Sequence, residues 1–145
     1  MNTHQGTEAT HITDIIQVMN SGIDFYQKAQ EKVPAIGALF QRMIDARKVS
    51  VERLQPYAVN EKGEREDGSS FAVEARRAYT ALLTTFSSHN DKTYVKELEE
   101  VEDKTLEEIK AAMDKPQPAD CEAALAKTLL TMQSCHTEMS RMQKH

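Results

Sequence analysis

Ile12-Thr-Asp-Ile15-Ile16-Gln-Val-Met19-Asn-Ser-Gly-Ile23-Asp-Phe-Tyr26 is the stretch that decides the fold. Its apolar residues return at steps of three and four, the period of one helix face and not the alternation of a strand. A helix is predicted over about Thr10 to Glu31. Moving outward, the same period recurs four more times. A second helix opens at Pro34, where a missing N–H is harmless. It carries Ile36, Leu39, Phe40, Met43, Val51, Leu54 and Tyr57, and Pro56 lies where it should stop. A charged loop, Asn60 to Ser69, precedes a third helix from about Ser70 with Phe71, Tyr79, Leu82 and Phe86 on one face. Ser87 to Asp91 breaks the pattern and caps a fourth helix, Asp91 to about Lys115. The Pro116-Gln117-Pro118 turn then delivers a fifth, with Asp120 and Glu122 at its positive end. No strand alternation, repeat period or low-complexity tract is present.

Connection lengths choose among helical topologies. Short links between helices one and two, and between four and five, predict two antiparallel hairpins. The longer stretch between them, third helix included, is enough to carry the chain back along the body. The expectation is an all-α, ferritin-like antiparallel four-helix bundle with one long crossover containing an extra helix. Residues 1–9 are expected as a flexible N-terminal tail and 10–145 as the bundle domain.

At 145 residues, the chain has the length of one domain and should bury enough surface to fold without a staple. Eighteen basic against 23 acidic residues give a net charge of −5, which argues against nucleic-acid or anionic-membrane partners. Met1 to Thr7 lacks the basic and apolar regions of a secretory signal. No apolar run approaches the roughly 18–20 residues that span a bilayer. Cys121 and Cys135 share one helix and stand about 21 Å apart, beyond disulfide reach. Both are read as reduced core residues. A bacterial cytoplasm is the expected compartment.

Polar residues interrupt the apolar arcs at three places. Glu102 falls among Leu98, Val101, Thr105 and Ile109 on helix four. His136 sits among Leu129, Met132 and Met139 on helix five, and Arg47 among Phe40, Met43, Val51 and Leu54 on helix two. Helix one adds Tyr26. A buried charge without a partner typically costs several kcal/mol, so these groups should meet each other or a ligand. Folding helices four and five about the turn sets His136 near Glu97, about one turn from Glu102.

Two readings compete for this layer. In the first, carboxylate and imidazole converge on iron or manganese, as in di-iron bundles with Glu-x-x-His on two helices. That motif occurs only at Glu8-Ala-Thr-His11, near the start of helix one. Helix five offers Gln133-Ser-Cys-His136 and helix two Asp45-Ala-Arg-Lys48, so each lacks a ligand. Arg47 would also bring a permanent charge to where a second metal would lie. In the second and preferred reading, Tyr26, Arg47, Glu102 and His136 form a buried polar network that fixes register, with no cofactor. Glu102 and His136 remain the only weak metal candidates.

Other chemistry is poorly supplied. The serines cluster in turns without a nucleophile elbow, and Gly63 and Gly68 precede no phosphate-loop Lys-Ser/Thr pair. Arg76-Arg77 reads as a solvated face better than as an anion grip.

Asn20-Ser-Gly-Ile-Asp-Phe-Tyr-Gln-Lys-Ala29, Leu39-Phe40, Glu97-Leu-Glu-Glu-Val-Glu-Asp103 and the late His136 resemble the PA2169-type four-helix-bundle proteins, the DUF2383 family. The resemblance runs from about His11 to Met142. Asp24 stands where relatives tend to have Glu, and Arg76-Arg77-Ala78-Tyr79 where they carry His-Arg-x-Trp. It implies a bacterial ferritin-like bundle and lends no activity. The expected function is a non-enzymatic structural or interaction module without an intact di-iron site, self-associating as a homodimer by analogy. The alternative is a degenerate metal-binding protein with oxidase or metal-handling activity. A third class, ligand binding in an apolar gap, would need a pocket beside Tyr26 and Tyr94.

Overall fold

A computed structural model describes residues 8–32, 34, 37–68 and 91–143, with the side chains described except at 28, 32 and 91–101. The described residues form four long helices: α1 (Ile12–Lys32), α2 (Gly37–Lys62), α3 (Asp91–Met113) and α4 (Ala119–Gln143). The expected third helix, with Arg76 and Arg77, and the side chain of Tyr94 lie outside the described residues, so α3 and α4 are the expected fourth and fifth helices.

Each helix buries the stripe its period dictates. Ile12, Ile15, Ile16, Met19 and Tyr26 of α1 meet Phe40, Met43, Ile44 and Leu54 of α2 in one core. Ile109 and Ala112 of α3 and Leu125, Met132 and Met139 of α4 complete it. α1 packs on α2 and α3, and α4 packs on α3 and α2.

Side-chain bonds give the directions. Gln30 near the end of α1 donates to the Gly37 carbonyl at the start of α2, while Glu61 at the end of α2 accepts from the start of α1. The pair is antiparallel. Tyr26 meets Glu102, and His11 meets Glu108 farther along α3, so α1 and α3 are also antiparallel. α2 and α3 therefore point the same way, so that α2 ends and α3 begins at opposite ends of the body. Arg42 with Glu138 and Arg53 with Thr128 set α4 antiparallel to α2.

Pro56 does not stop α2, contrary to the sequence expectation; the helix runs on to Lys62 with Pro56 inside it. An interior proline typically costs about 3 kcal/mol of helix stability. The added turns offset that cost with buried Ala58 and with bonds from Asn60 to Ala9 and from Glu61 to the first turn of α1. Glu61 accepts the His11 N–H at 3.0 Å through Oε2 and the Thr13 N–H at 2.8 Å through Oε1. It thus caps the first turn of a different helix. His11 enters that turn at φ 67, in the left-handed region. Gly63 at φ 90 ends α2, and its N–H donates to the Val59 carbonyl at 2.8 Å, a left-handed cap.

Glu66 pins the loop that follows. Its Oε1 accepts from Gln17 at 2.8 Å and Lys62 at 2.9 Å, and its Oε2 from the Gly68 N–H at 2.9 Å. Gln55 bonds both the N–H and the carbonyl of Glu66. Ala9, at the edge of the expected tail, is buried with its N–H on Asn60.

Candidate functional site

Midway along the body, α1, α2 and α3 each turn a polar group inward. Among the described residues Arg47 is the largest fully buried side chain, followed by Tyr26, and Glu102 is buried just as completely. Tyr26 donates its hydroxyl to Glu102 Oε1 in a short hydrogen bond. Arg47 Nη2 donates to the same oxygen at 3.1 Å and to Thr105 Oγ1 at 3.1 Å. The guanidinium also lies 5.6 Å from the Tyr26 ring centroid, within cation–π reach. Phe25 and Phe40 flank that ring, each with its centroid 5.6 Å away.

Space for Arg47 comes from α1. A Cβ on Gly22 would stand 2.4 Å from Nη1, 2.6 Å from Cζ and 2.9 Å from Nε. Glycine inside a helix is about 1 kcal/mol less favourable than alanine. Here it admits a guanidinium that alanine would displace. Arg47 Nε and Nη1 and Glu102 Oε2 are buried and make no hydrogen bond.

The electrostatics follow from burial and mutual charge. Burial, then the Glu102 carboxylate, push the Tyr26 phenol well above its ordinary range, against a smaller opposing pull from Arg47. Burial by itself would lower Arg47, but Glu102 and Tyr26 more than offset it and hold the guanidinium charged. The Cys135 thiol lies within the field of this cluster, and burial, then Glu102, raise it to about 12. Cys121 is raised to about 12 by its own burial, and both thiols are free. Among these groups the hydroxyl and the guanidinium are donors held in place, and Glu102 Oε2 is the acceptor left open beside them.

The structure brings Tyr26, Arg47 and Glu102 together and leaves His136 out. His136 is 27% exposed, and its Nε2 stands 2.6 Å from Asp103 Oδ1. It stands at the level of Asp103, six residues and about 9 Å along α3 from the level of residue 97 expected for it. Its azimuth keeps it from the cluster: Asp103 is about 100° around α3 from Glu102. The His11 ring joins Glu108 at 2.8 Å and Asp14 at 3.1 Å at one end of the body, far along α1 from Tyr26. Among the described residues, no group of three or more His, Cys, Asp or Glu side chains is placed to hold a metal ion.

Two participants escaped the sequence reading. Thr105 had been counted as an apolar-arc residue, one turn from Glu102. Gly22 carried a usable signal, since a glycine between Ser21 and Ile23 in mid-helix implies a close approach.

A family model described as Domain of unknown function (DUF2383) matches residues 7–115. The chain belongs to the DUF2383 family. In this DUF2383 chain the matched span holds α1, α2, α3 and the whole Tyr26–Arg47–Glu102 cluster, while α4 and His136 fall beyond it. No curated protein and no solved structure matches the chain.

Proposed function

We propose that this chain is a ferritin-like four-helix bundle of the PA2169 type, working as a non-enzymatic structural or interaction module in a bacterial cytoplasm. The parallel course of α2 and α3 supports the crossover topology, since a simple up-down-up-down bundle would set them antiparallel. The buried cluster serves to hold three helices in register.

One observation carries the functional reading. The carboxylate at the centre, Glu102, already has a fixed cation on it, with Arg47 Nη2 at 3.1 Å and both side chains 0% exposed. A metal at that oxygen would have to displace a guanidinium that has no route to solvent. Breaking a buried pair in that way typically costs about 3–5 kcal/mol. Among the described residues the other buried carboxylate, Glu66, is occupied by Lys62 and Gln17.

A second reading, a degenerate iron- or manganese-handling protein with oxidase or metal-handling activity, draws support from Glu102 Oε2, a buried acceptor without a hydrogen bond. Elemental analysis of chain purified without chelator separates the two. The expected result is iron and manganese far below one atom per chain. A stoichiometric signal that disappears in Glu102→Ala overturns the module reading.

A further inference from the structure

The solvent face of α4 carries a long uncharged stripe. At about 100° per residue, Ala119, Ala123, Ala126, Leu130, Gln133 and Thr137 fall on one stripe, opposite the buried Leu125, Met132 and Met139. All six are exposed, and Leu130, at 67%, is the most exposed of the large hydrophobic residues described. Their spacing alternates four and three residues, as in the seam of a coiled coil. None is charged, in a chain where 28% of residues are. The exposed sides of α2 and α3 set their apolar residues among charges, with Val49 beside Asp45 and Lys48 on α2 and with Lys104 and Glu107 on α3.

We infer that two copies of the chain associate through this face, their α4 helices antiparallel across a twofold axis at Leu130. The inference rests on the interaction-module reading and names the partner as a second copy. Position and charge both select that occupant. Leu130 lies at the middle of Ala119–Gln143, so an axis there lays the whole length of one helix along the other. Arg141 is eleven residues after Leu130 and Asp120 ten before it, and both are exposed. The twofold therefore sets Arg141 of each copy beside Asp120 of the other. A parallel pairing would instead oppose the acidic first turns, Asp120 and Glu122, to each other. Each copy carries a net charge of −5, and a stripe of uncharged residues, with its terminal Asp120 met by Arg141, is where two such molecules repel least. Small side chains around a central leucine let the backbones approach closely.

A 25-residue helix is about 37 Å long, so the seam sits at the small end of specific interfaces and should bind weakly. Sedimentation velocity on the full chain, from about 1 to several hundred micromolar, should give a concentration-dependent monomer–dimer equilibrium. Leu130→Glu should weaken it by roughly 30-fold or more, the loss typical of a central interface residue. Its far-ultraviolet circular dichroism should stay native, because the side chain is in water in the monomer. Val49→Glu, at a residue 55% exposed on α2, should leave the equilibrium unchanged. Arg141→Asp should weaken association, and adding Asp120→Arg should restore it. With oxidised glutathione added as the two-electron oxidant, Leu130→Cys should form a disulfide-linked dimer, since a residue on the axis meets its own copy. A chain that stays monomeric throughout, or a dimer indifferent to Leu130→Glu, overturns the interface. Neither result touches the module reading, which fails separately on stoichiometric metal.

Discussion

Gly22→Ala should destabilise the protein although it replaces glycine by the best helix former. On an exposed helix face the exchange gains about 1 kcal/mol. At Gly22 the added methyl would stand 2.4 Å from Arg47 Nη1 and 2.6 Å from Cζ. Arg47 cannot step aside cheaply, because Nη2 is held by Glu102 and Thr105 and the side chain is wholly enclosed. Overpacking of this kind typically costs about 1–3 kcal/mol, and forcing the buried pair apart about 3–5. Partial relaxation between those limits, less the helix gain, leaves a net loss of about 1–3 kcal/mol. For a domain of this size that lowers the melting temperature by roughly 3–12 °C. Thermal and urea melts followed by circular dichroism read it directly. The decisive comparison is the same substitution in an Arg47→Leu/Glu102→Leu background. There the clash is gone, and Gly22→Ala should be neutral or stabilising by about 1 kcal/mol, so the sign reverses. A Gly22→Ala variant that melts at or above the native temperature in the native background refutes the packing on which the cluster depends.

Two further outcomes are expected. Burial alone would raise the Glu66 carboxyl, but bonds from Lys62, the Gly68 N–H and Gln17 more than offset it and hold it below its ordinary 4.5. The stability it contributes is therefore present above that value and lost as pH falls through the folded one. Glu66→Gln should cost roughly 1–2 kcal/mol at neutral pH, with urea midpoints of variant and native protein converging in acid; a gap that stays constant with pH refutes the role of charge. Cys121 and Cys135, buried and raised to about 12, should react with a thiol-exchange reagent only as fast as the native state opens, and at once in denaturant. Rapid labelling of either thiol in the folded protein would contradict their burial.

How much of this was legible in the sequence differs by feature. Arg47 and Glu102 could be placed inside because each sits mid-arc among apolar residues close in sequence, where a 100° step accumulates little error. His136 was misplaced because its relation to Glu102 depends on how two long helices turn against each other around Pro116-Gln117-Pro118, and a rotation of one residue there exchanges Asp103 for Glu102. Thr105 was hidden by its double nature, a methyl for the apolar arc and a hydroxyl for Arg47. Glu61 and Glu66 read as loop charges because Pro56 suggested that α2 had already ended. Their partners lie about fifty residues away in α1, a distance over which no local pattern carries information.

Glu61 has a further consequence for how the molecule comes apart. A helix ordinarily frays from its ends independently of its neighbours, but the first amides of α1 are bonded to a side chain on the last turns of α2. At the other end, Gln30 ties the closing turn of α1 to the opening of α2. Each terminus of one helix is thus lost only when the matching terminus of the other loosens. In hydrogen exchange the amides of His11 and Thr13 should be released together with those around Val59 and Gly63, so that the first hairpin opens as one cooperative foldon.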